Sequence, residues 1–479
     1  MSHSTEPVII TSTGPVIGKA EGCSAAFLGI PFGKAGRFLP PEPVGWSQVR
    51  ECFSFGAAPP QPNYWNKKQP GQVFSLVGDE DCLNLNVWTA DLDPAEPLPV
   101  VVLVYGGAFQ AGSNAFPDFR GDRFMGREKM VVVSVNYRVG VLGFLELGHI
   151  YGEAYAGSGN NGIRDLLLAF DWVYENIRAF GGDPDRITLA GISAGAKAIG
   201  SLITLPQIQQ RCHSVIMESG AMQAFRSVET AQKPADRFLS RFPAGTDLRT
   251  LPTEKVVEEQ GEFCSRDGNT CFFGPVLTAP FAPDWKERWE KGERFTGAAI
   301  IGCGRHELIP LASKPDFPLE AETVADDLFG TNGTIAKAMA AERLAQGMDT
   351  VTAWEPVLSD FMYRYYSDGL AKKLSAEGNR VYCYSFEYGL ANHGMGYAYL
   401  MRSLDYGGVS LSGDKLAEAG AVADFMRSQV WRFVETGAPD PALWPAYDGA
   451  RKMIFDACPH MEERPEDTLS GFPDEVYAL

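Results

Sequence analysis

Residues 191–195, Gly-Ile-Ser-Ala-Gly, constrain this chain more than any other stretch because of what flanks them. Arg186-Ile187-Thr188-Leu189-Ala190 comes before, a short β-branched and apolar run that reads as a buried strand. Ala196 to Ile203 comes after, apolar at helical spacing and closed by Pro206. A serine between two glycines on a sharp strand-to-helix turn is a nucleophile elbow. The glycines remove Cβ clashes, and the turn lifts the Ser193 hydroxyl clear of the sheet. A chain built around such a turn needs a parallel sheet whose carboxyl ends carry the reactive groups.

The rest of the chain supplies one. Val100 to Tyr105, Met130 to Asn136, Ile187 to Ala190, Ser214 to Met217, Ala298 to Ile301 and Val381 to Phe386 are short apolar, β-branched runs. Asp165 to Phe180 reads as an amphipathic helix between two of them, and Gly181-Gly182-Asp183-Pro184 as a stop-and-turn. Continuous apolar strands separated by helices predict an α/β fold, a mostly parallel sheet covered by helices on both faces. Regions around 222–295 and 305–380 lack that alternation and read as helical excursions that form a cap. No linker breaks the chain, so one domain is expected over residues 1–479.

Composition narrows the function. With 60 acidic and 42 basic residues the net charge is -18, which argues against nucleic-acid and anionic-membrane partners. No apolar run approaches the roughly 18 residues of a membrane span, and Met1 to Pro7 has neither a basic nor an apolar leader segment. Nine cysteines, an odd number, predict reduced thiols and a cytoplasmic location, each thiol acting as a small buried hydrophobe. Cys264 and Cys271 are the one close pair, and their spacing fits no zinc site. With no G-K-[ST] loop, H-E-x-x-H or dinucleotide fingerprint, neither a metal nor a cofactor is expected, and the partner is a small molecule.

A serine nucleophile needs a base, and six histidines are available. In a G-x-S-x-G enzyme the acid and then the histidine follow the serine, which sets aside His3 and His149. His213 follows too closely to leave room for an acid on a later strand. His306 leaves no suitable acid before it, and His460 lies in an acidic surface tail. His393, a short loop past the run Val381 to Phe386, is the best candidate. Glu307 follows Ala298 to Ile301 by a loop that can aim a carboxylate at the imidazole. Gly106-Gly107 at the end of Val100 to Tyr105 can turn backbone N–H groups toward one point, where a carbonyl oxygen becoming O⁻ would be held. Phe109, Ile192, Phe272 and Phe273 are candidates for the pocket lining, with core packing the alternative for the adjacent phenylalanines.

With these residues in place, the chain resembles the type-B carboxylesterases, the family of the cholinesterases and bacterial para-nitrobenzyl esterases. The resemblance runs through Gly29-Ile30-Pro31-Phe32, Glu80-Asp81-Cys82-Leu83-Asn84-Leu85-Asn86-Val87-Trp88, Val135-Asn136-Tyr137-Arg138-Val139-Gly140, Phe180-Gly181-Gly182-Asp183-Pro184 and Trp444-Pro445. It implies an α/β-hydrolase fold and ester hydrolysis through an acyl-enzyme. Ser193 would be the nucleophile, His393 the base, Glu307 the orienting acid, and the N–H groups of Gly107, Ala108 and Ala194 the oxyanion donors. The same machinery acting on an amide, carbamate or lactone is the nearer alternative, and a non-catalytic adhesion relative the more distant one. Three departures stand out. Ile192 replaces the glutamate usual before the nucleophile, and Gly396 the one common three residues after the histidine, so negative charge is expected to be missing beside His393. The cysteine that usually pairs with Cys82 is absent from Phe55 to Gln61, so Cys82 is expected to be free.

Overall fold

Leu98–Val104 and Val131–Val135 are apolar at nearly every position and buried at every one, the signature of strands covered on both faces. The computed structural model describes residues 6–22, 24–63, 76–266, 273–405 and 411–464, and it divides into two compact units. The first comprises Met1–Ile187, Leu202–Arg211 and Phe225–Arg294; the second comprises Thr188–Ser201, Cys212–Ala224 and Phe295–Leu479.

The strands of the first unit include β1 (Lys19–Glu21), β2 (Ser24–Pro31), β3 (Asn84–Thr89), β4 (Leu98–Val104) and β5 (Val131–Val135). β4 and β5 pair in parallel, with Val100 opposite Val131. β5 to β3, β3 to β2 and β2 to β1 are antiparallel, so this side of the fold is a meander the apolar runs did not announce. Helix α1 (Asn161–Asn176) starts before the expected Asp165 and continues as a 3-10 turn through Phe180. Its start is set by tertiary contacts: the Asn160 side chain donates to Val276 O and accepts from Val276 N, both at 2.8 Å. The expected stop at residues 181–184 shrinks to Gly181, since the next strand already begins at Gly182.

Two buried polar clusters hold this unit. Arg138 grips Asp165 with Nε and Nη2, at 2.8 and 2.7 Å, while its Nη1 donates to Leu39 O. The Ala57 segment, where the resemblance would put a disulfide to Cys82, is tied by amides instead. Asn84 and Asn136 both donate Nδ2 to Ala57 O at 2.9 Å, and Asn114 N donates to Asn136 Oδ1 at 2.8 Å. Cys82 is buried with a free thiol, as expected.

In the second unit, β6 (Gly182–Ile192, its start lying in the first unit) is followed by helix α2 (Ala194–Leu202), β7 (Ser214–Glu218) and β8 (Ala298–Gly304). Helices α3 (Thr350–Ser359) and α4 (Tyr365–Ala376), joined by a π-helical turn at Asp360–Arg364, lead to β9 (Arg380–Phe386). After α5 (Met395–Leu400) come β10 (Arg451–Phe455) and β11 (His460–Glu463). β6 through β10 pair in parallel, which brings the ends of β6, β7, β8 and β9 side by side. β11 pairs antiparallel with β10, so His460 lies on an edge strand rather than in a loose tail, with its side chain half exposed. Trp444 packs fully buried, its indole N–H donating to Cys383 O at 3.1 Å. Among the described residues no helix is long and apolar enough to cross a membrane.

Candidate active site

Ser193 occupies the turn between β6 and α2 with φ of 55°, a left-handed conformation that costs a non-glycine residue about 1–3 kcal/mol. Its neighbours hold it there. Ser193 N donates to Glu218 O at 2.8 Å, and Ser193 O accepts from Lys197 N at 2.9 Å, which closes the first turn of α2. The residue is 8% exposed, on the rim of the buried sheet. Ala194, the first residue of α2, is buried.

Glu307 follows β8 and His393 precedes α5, and the structure brings their side chains together. Glu307 Oε2 meets His393 Nδ1 at 2.5 Å, and the backbone adds His393 N donating to Glu307 O at 3.2 Å. The other oxygen, Glu307 Oε1, accepts from Ser219 Oγ and from Gly304 N, each at 2.6 Å. The Glu307 side chain is fully buried while that of His393 is 28% exposed. A carboxylate with three donors on it is fixed in direction. An imidazole bonded through Nδ1 carries that proton and leaves Nε2 free to accept another.

Two features of this surrounding were not legible in the sequence. The Tyr363 ring, carried by the π-helical turn, stacks on the His393 imidazole with centroids 4.6 Å apart and planes 22° apart. Lys197 Nζ lies 4.9 Å from the Tyr363 ring centroid. The second feature is Glu218, whose backbone touches Ser193 and whose buried carboxyl accepts from Tyr384 Oη at 2.7 Å. Its carboxyl lies against Gly396, so the place from which a charged group was expected to be missing has a carboxyl beside it from another strand. The one available signal is the polar pair Glu218-Ser219 directly after the apolar run Val215 to Met217. Tyr363 gave none, because its position depends on a π turn.

The other candidates fall in several places. Gly107, Ala108 and Phe109 form a turn after β4 in which all three have positive φ, at 119°, 55° and 58°. Gln110 N and Ala111 N both donate to Gly107 O, at 2.9 and 3.1 Å, and Gly140 N donates to Phe109 O at 2.6 Å. The Phe109 ring is buried 4.8 Å from that of Phe144. Ile192 ends β6 and is 7% exposed, Phe273 is buried, and Phe272 lies outside the described residues, as does Cys271. His306, set aside as a base, makes a 3.2 Å contact through Nδ1 with Glu355. Among the described residues no group of three or more His, Cys, Asp or Glu side chains could hold a metal.

Comparison with known proteins gives a consistent result. Residues 5–468 match the model of the carboxylesterase family. The para-nitrobenzyl esterase of Bacillus subtilis (strain 168) is 28% identical over 492 residues, covering 96% of this chain and 97% of its own. The fumonisin B1 esterase of Sphingopyxis macrogoltabida is 40% identical over 227 residues, covering 46% of this chain and 41% of its own. Among solved structures, the carboxylesterase EST55 of Geobacillus stearothermophilus at pH 6.2 superposes with a TM-score of 0.82 at 31% identity, over 96% of this chain and 98% of that one.

Proposed function

This chain belongs to the carboxylesterase family and is a serine hydrolase of carboxylic esters with the α/β-hydrolase fold, and on that premise we propose that Ser193, His393 and Glu307 carry the reaction. Ser193 Oγ attacks the ester carbonyl as His393 Nε2 takes its proton. The C=O π bond becomes a C–O⁻, and the intermediate collapses as His393 protonates the departing alcohol. Water then attacks the acyl-enzyme by the same route and releases the acid. Glu307 fixes the imidazole tautomer and stabilises the imidazolium. The oxyanion role falls to the N–H groups of Gly107, Ala108 and Ala194, each such donor being typically worth about 2.7–4 kcal/mol of barrier.

The observation that carries this reading is the 2.5 Å bond between His393 Nδ1 and a buried, triply bonded Glu307. Ile192 and Phe109 are proposed to border the acyl or alcohol pocket, and the small residues at 106–108 to admit bulky alcohols. Cytoplasmic action fits the free thiols of Cys52, Cys82, Cys212 and Cys303, all buried. The test is Ser193→Ala assayed on p-nitrophenyl acetate and with a fluorophosphonate probe. Both turnover and labelling are expected to vanish, a loss on the order of 10⁴-fold or more. Activity within tenfold of the parent would overturn the assignment.

A further inference from the structure

Glu218, Gly302 and Tyr384 lie in register across three neighbouring strands, β7, β8 and β9, with Ile192 in register on the other side in β6. Side chains in register on a parallel sheet point to the same face. Gly302 leaves its place in that row empty, and the Tyr384 ring fills it: a Cβ on Gly302 would come within 2.4 Å of the ring. That close approach lets the phenol reach over β8 and donate to Glu218 Oε2 at 2.7 Å. On its far side the Glu218 carboxyl supports the segment after His393. A Cβ on Gly396 would sit 2.9 Å from Oε2 and 3.0 Å from Oε1, so only glycine admits this contact. Glu218 Oε1 is buried without a hydrogen-bond partner.

We propose that Glu218 is a positioning residue: clamped by Tyr384 and set against Gly396, its carboxyl seats the segment after His393. The proposal rests on the triad reading above and concerns what holds that triad in place. Through its backbone oxygen Glu218 also receives Ser193 N, and the next residue, Ser219, donates to Glu307. Glu218 and its immediate neighbour, through backbone and side chains together, therefore touch the surroundings of all three proposed catalytic residues.

The charges around Glu218 favour the neutral form. The groups acting on it are the Tyr384 phenol from β9, the Glu307 carboxylate from the loop after β8, and the N–H groups of Gly396 and Tyr397 from α5, while β6 presents the apolar Ile192. None is a cation. Burial acts most strongly and, with the charge of Glu307, disfavours ionisation; the hydrogen bonds oppose it, and the carboxyl is pushed up to about 8. In the unfolded chain the same carboxyl ionises near its ordinary 4.5. The folded state then keeps a proton that the unfolded state releases, so Glu218 lowers stability progressively from about pH 4.5 to about pH 8 and by a constant amount above. Above pH 8 the folded carboxyl ionises beside Glu307, and the seat under the His393 segment loosens.

The test compares the whole enzyme with Glu218→Gln, the uncharged isostere. Thermal unfolding is expected to give matching midpoints at pH 5, with the variant higher by at least about 2 °C at pH 8.5. On p-nitrophenyl acetate the variant keeps kcat/KM within threefold at pH 6.5, with KM unchanged. From pH 7.5 to 9.5 the parent falls at least threefold relative to it. A tenfold loss in Glu218→Gln at pH 6.5 would show that the anion is needed, and parallel stability and rate profiles would show that Glu218 does not titrate; either overturns the proposal. If Glu218→Gln does not fold, Tyr384→Phe removes a donor to the ionised form and should move the alkaline decline of the parent to higher pH, and an unmoved decline overturns it. The unfolding measurement needs no turnover, so a failed triad assignment is distinguished from a failed role for Glu218.

Discussion

Ser219 Oγ donates to Glu307 Oε1 across 2.6 Å, and that bond aims the carboxylate whose other oxygen faces His393. The donor comes from the end of β7 and the acceptor from beyond β8, so two adjacent strands share the task of orienting one imidazole. A hydrogen bond to a charged group contributes about 1.5–3 kcal/mol. Ser219→Ala should therefore lower kcat on a p-nitrophenyl ester about 10- to 100-fold with KM little changed. A kcat within twofold of the parent would mean that Gly304 N alone orients Glu307.

Tyr363 supplies a wall for the imidazole instead of a hydrogen bond. Stacked aromatic pairs contribute about 0.5–1.5 kcal/mol beyond burial. Tyr363→Leu keeps an apolar side chain but loses the flat face, so kcat/KM is expected to drop about 2- to 10-fold, and Tyr363→Phe to restore most of it. Equal losses in both variants would assign the effect to the phenol oxygen.

The Arg138–Asp165 pair lies far along the chain from those residues and governs stability rather than chemistry. Both side chains are nearly or fully buried, and Asp165 accepts from Arg138 N as well as from its guanidinium. Removing one partner of a buried pair leaves an uncompensated charge, at a cost of about 3–5 kcal/mol. Asp165→Ala should lower the denaturant midpoint accordingly, or leave the protein in inclusion bodies. A variant as stable as the parent would show that Leu39 O and water suffice for Arg138.

Thiol accessibility separates two kinds of cysteine. Burial pushes Cys82, Cys212 and Cys303 well above the ordinary thiol range, so little thiolate forms, whereas Cys458 is exposed. Iodoacetamide on the native enzyme at pH 8 should modify Cys458 within minutes and leave the other three intact until denaturant is added, as read by peptide mass spectrometry. Early labelling of Cys82 would show that the amide-tied segment at Ala57 opens readily.

Local chemistry made the Ser193 elbow legible in the sequence. A serine between glycines needs a strand before it and a helix after it, and β6 and α2 follow that rule whatever surrounds them. The runs at Val100, Met130, Ser214, Ala298 and Val381 are mostly apolar because both faces of a parallel strand are buried, and each is a strand in the structure. Chain order and a place just after such strands point to His393 and Glu307, and the two side chains meet at 2.5 Å. The meander β1–β3 carries a weaker apolar signal because β2 alternates buried with half-buried residues and β3, though buried throughout, keeps the polar Asn84 and Asn86 for hydrogen bonds inside the fold.

What residue order alone determined was the elbow and the parallel strands, since each follows from patterns that neighbours in the chain impose on one another. Only the tertiary structure decided that Ser219 and Glu218 would stand behind Glu307, that Tyr384 would cross Gly302 to reach a carboxyl, and that a π turn would lay Tyr363 on the imidazole. Those contacts join residues far apart in sequence, and what selects them is strand register and the space glycine leaves open, neither of which is written in any short stretch of the chain.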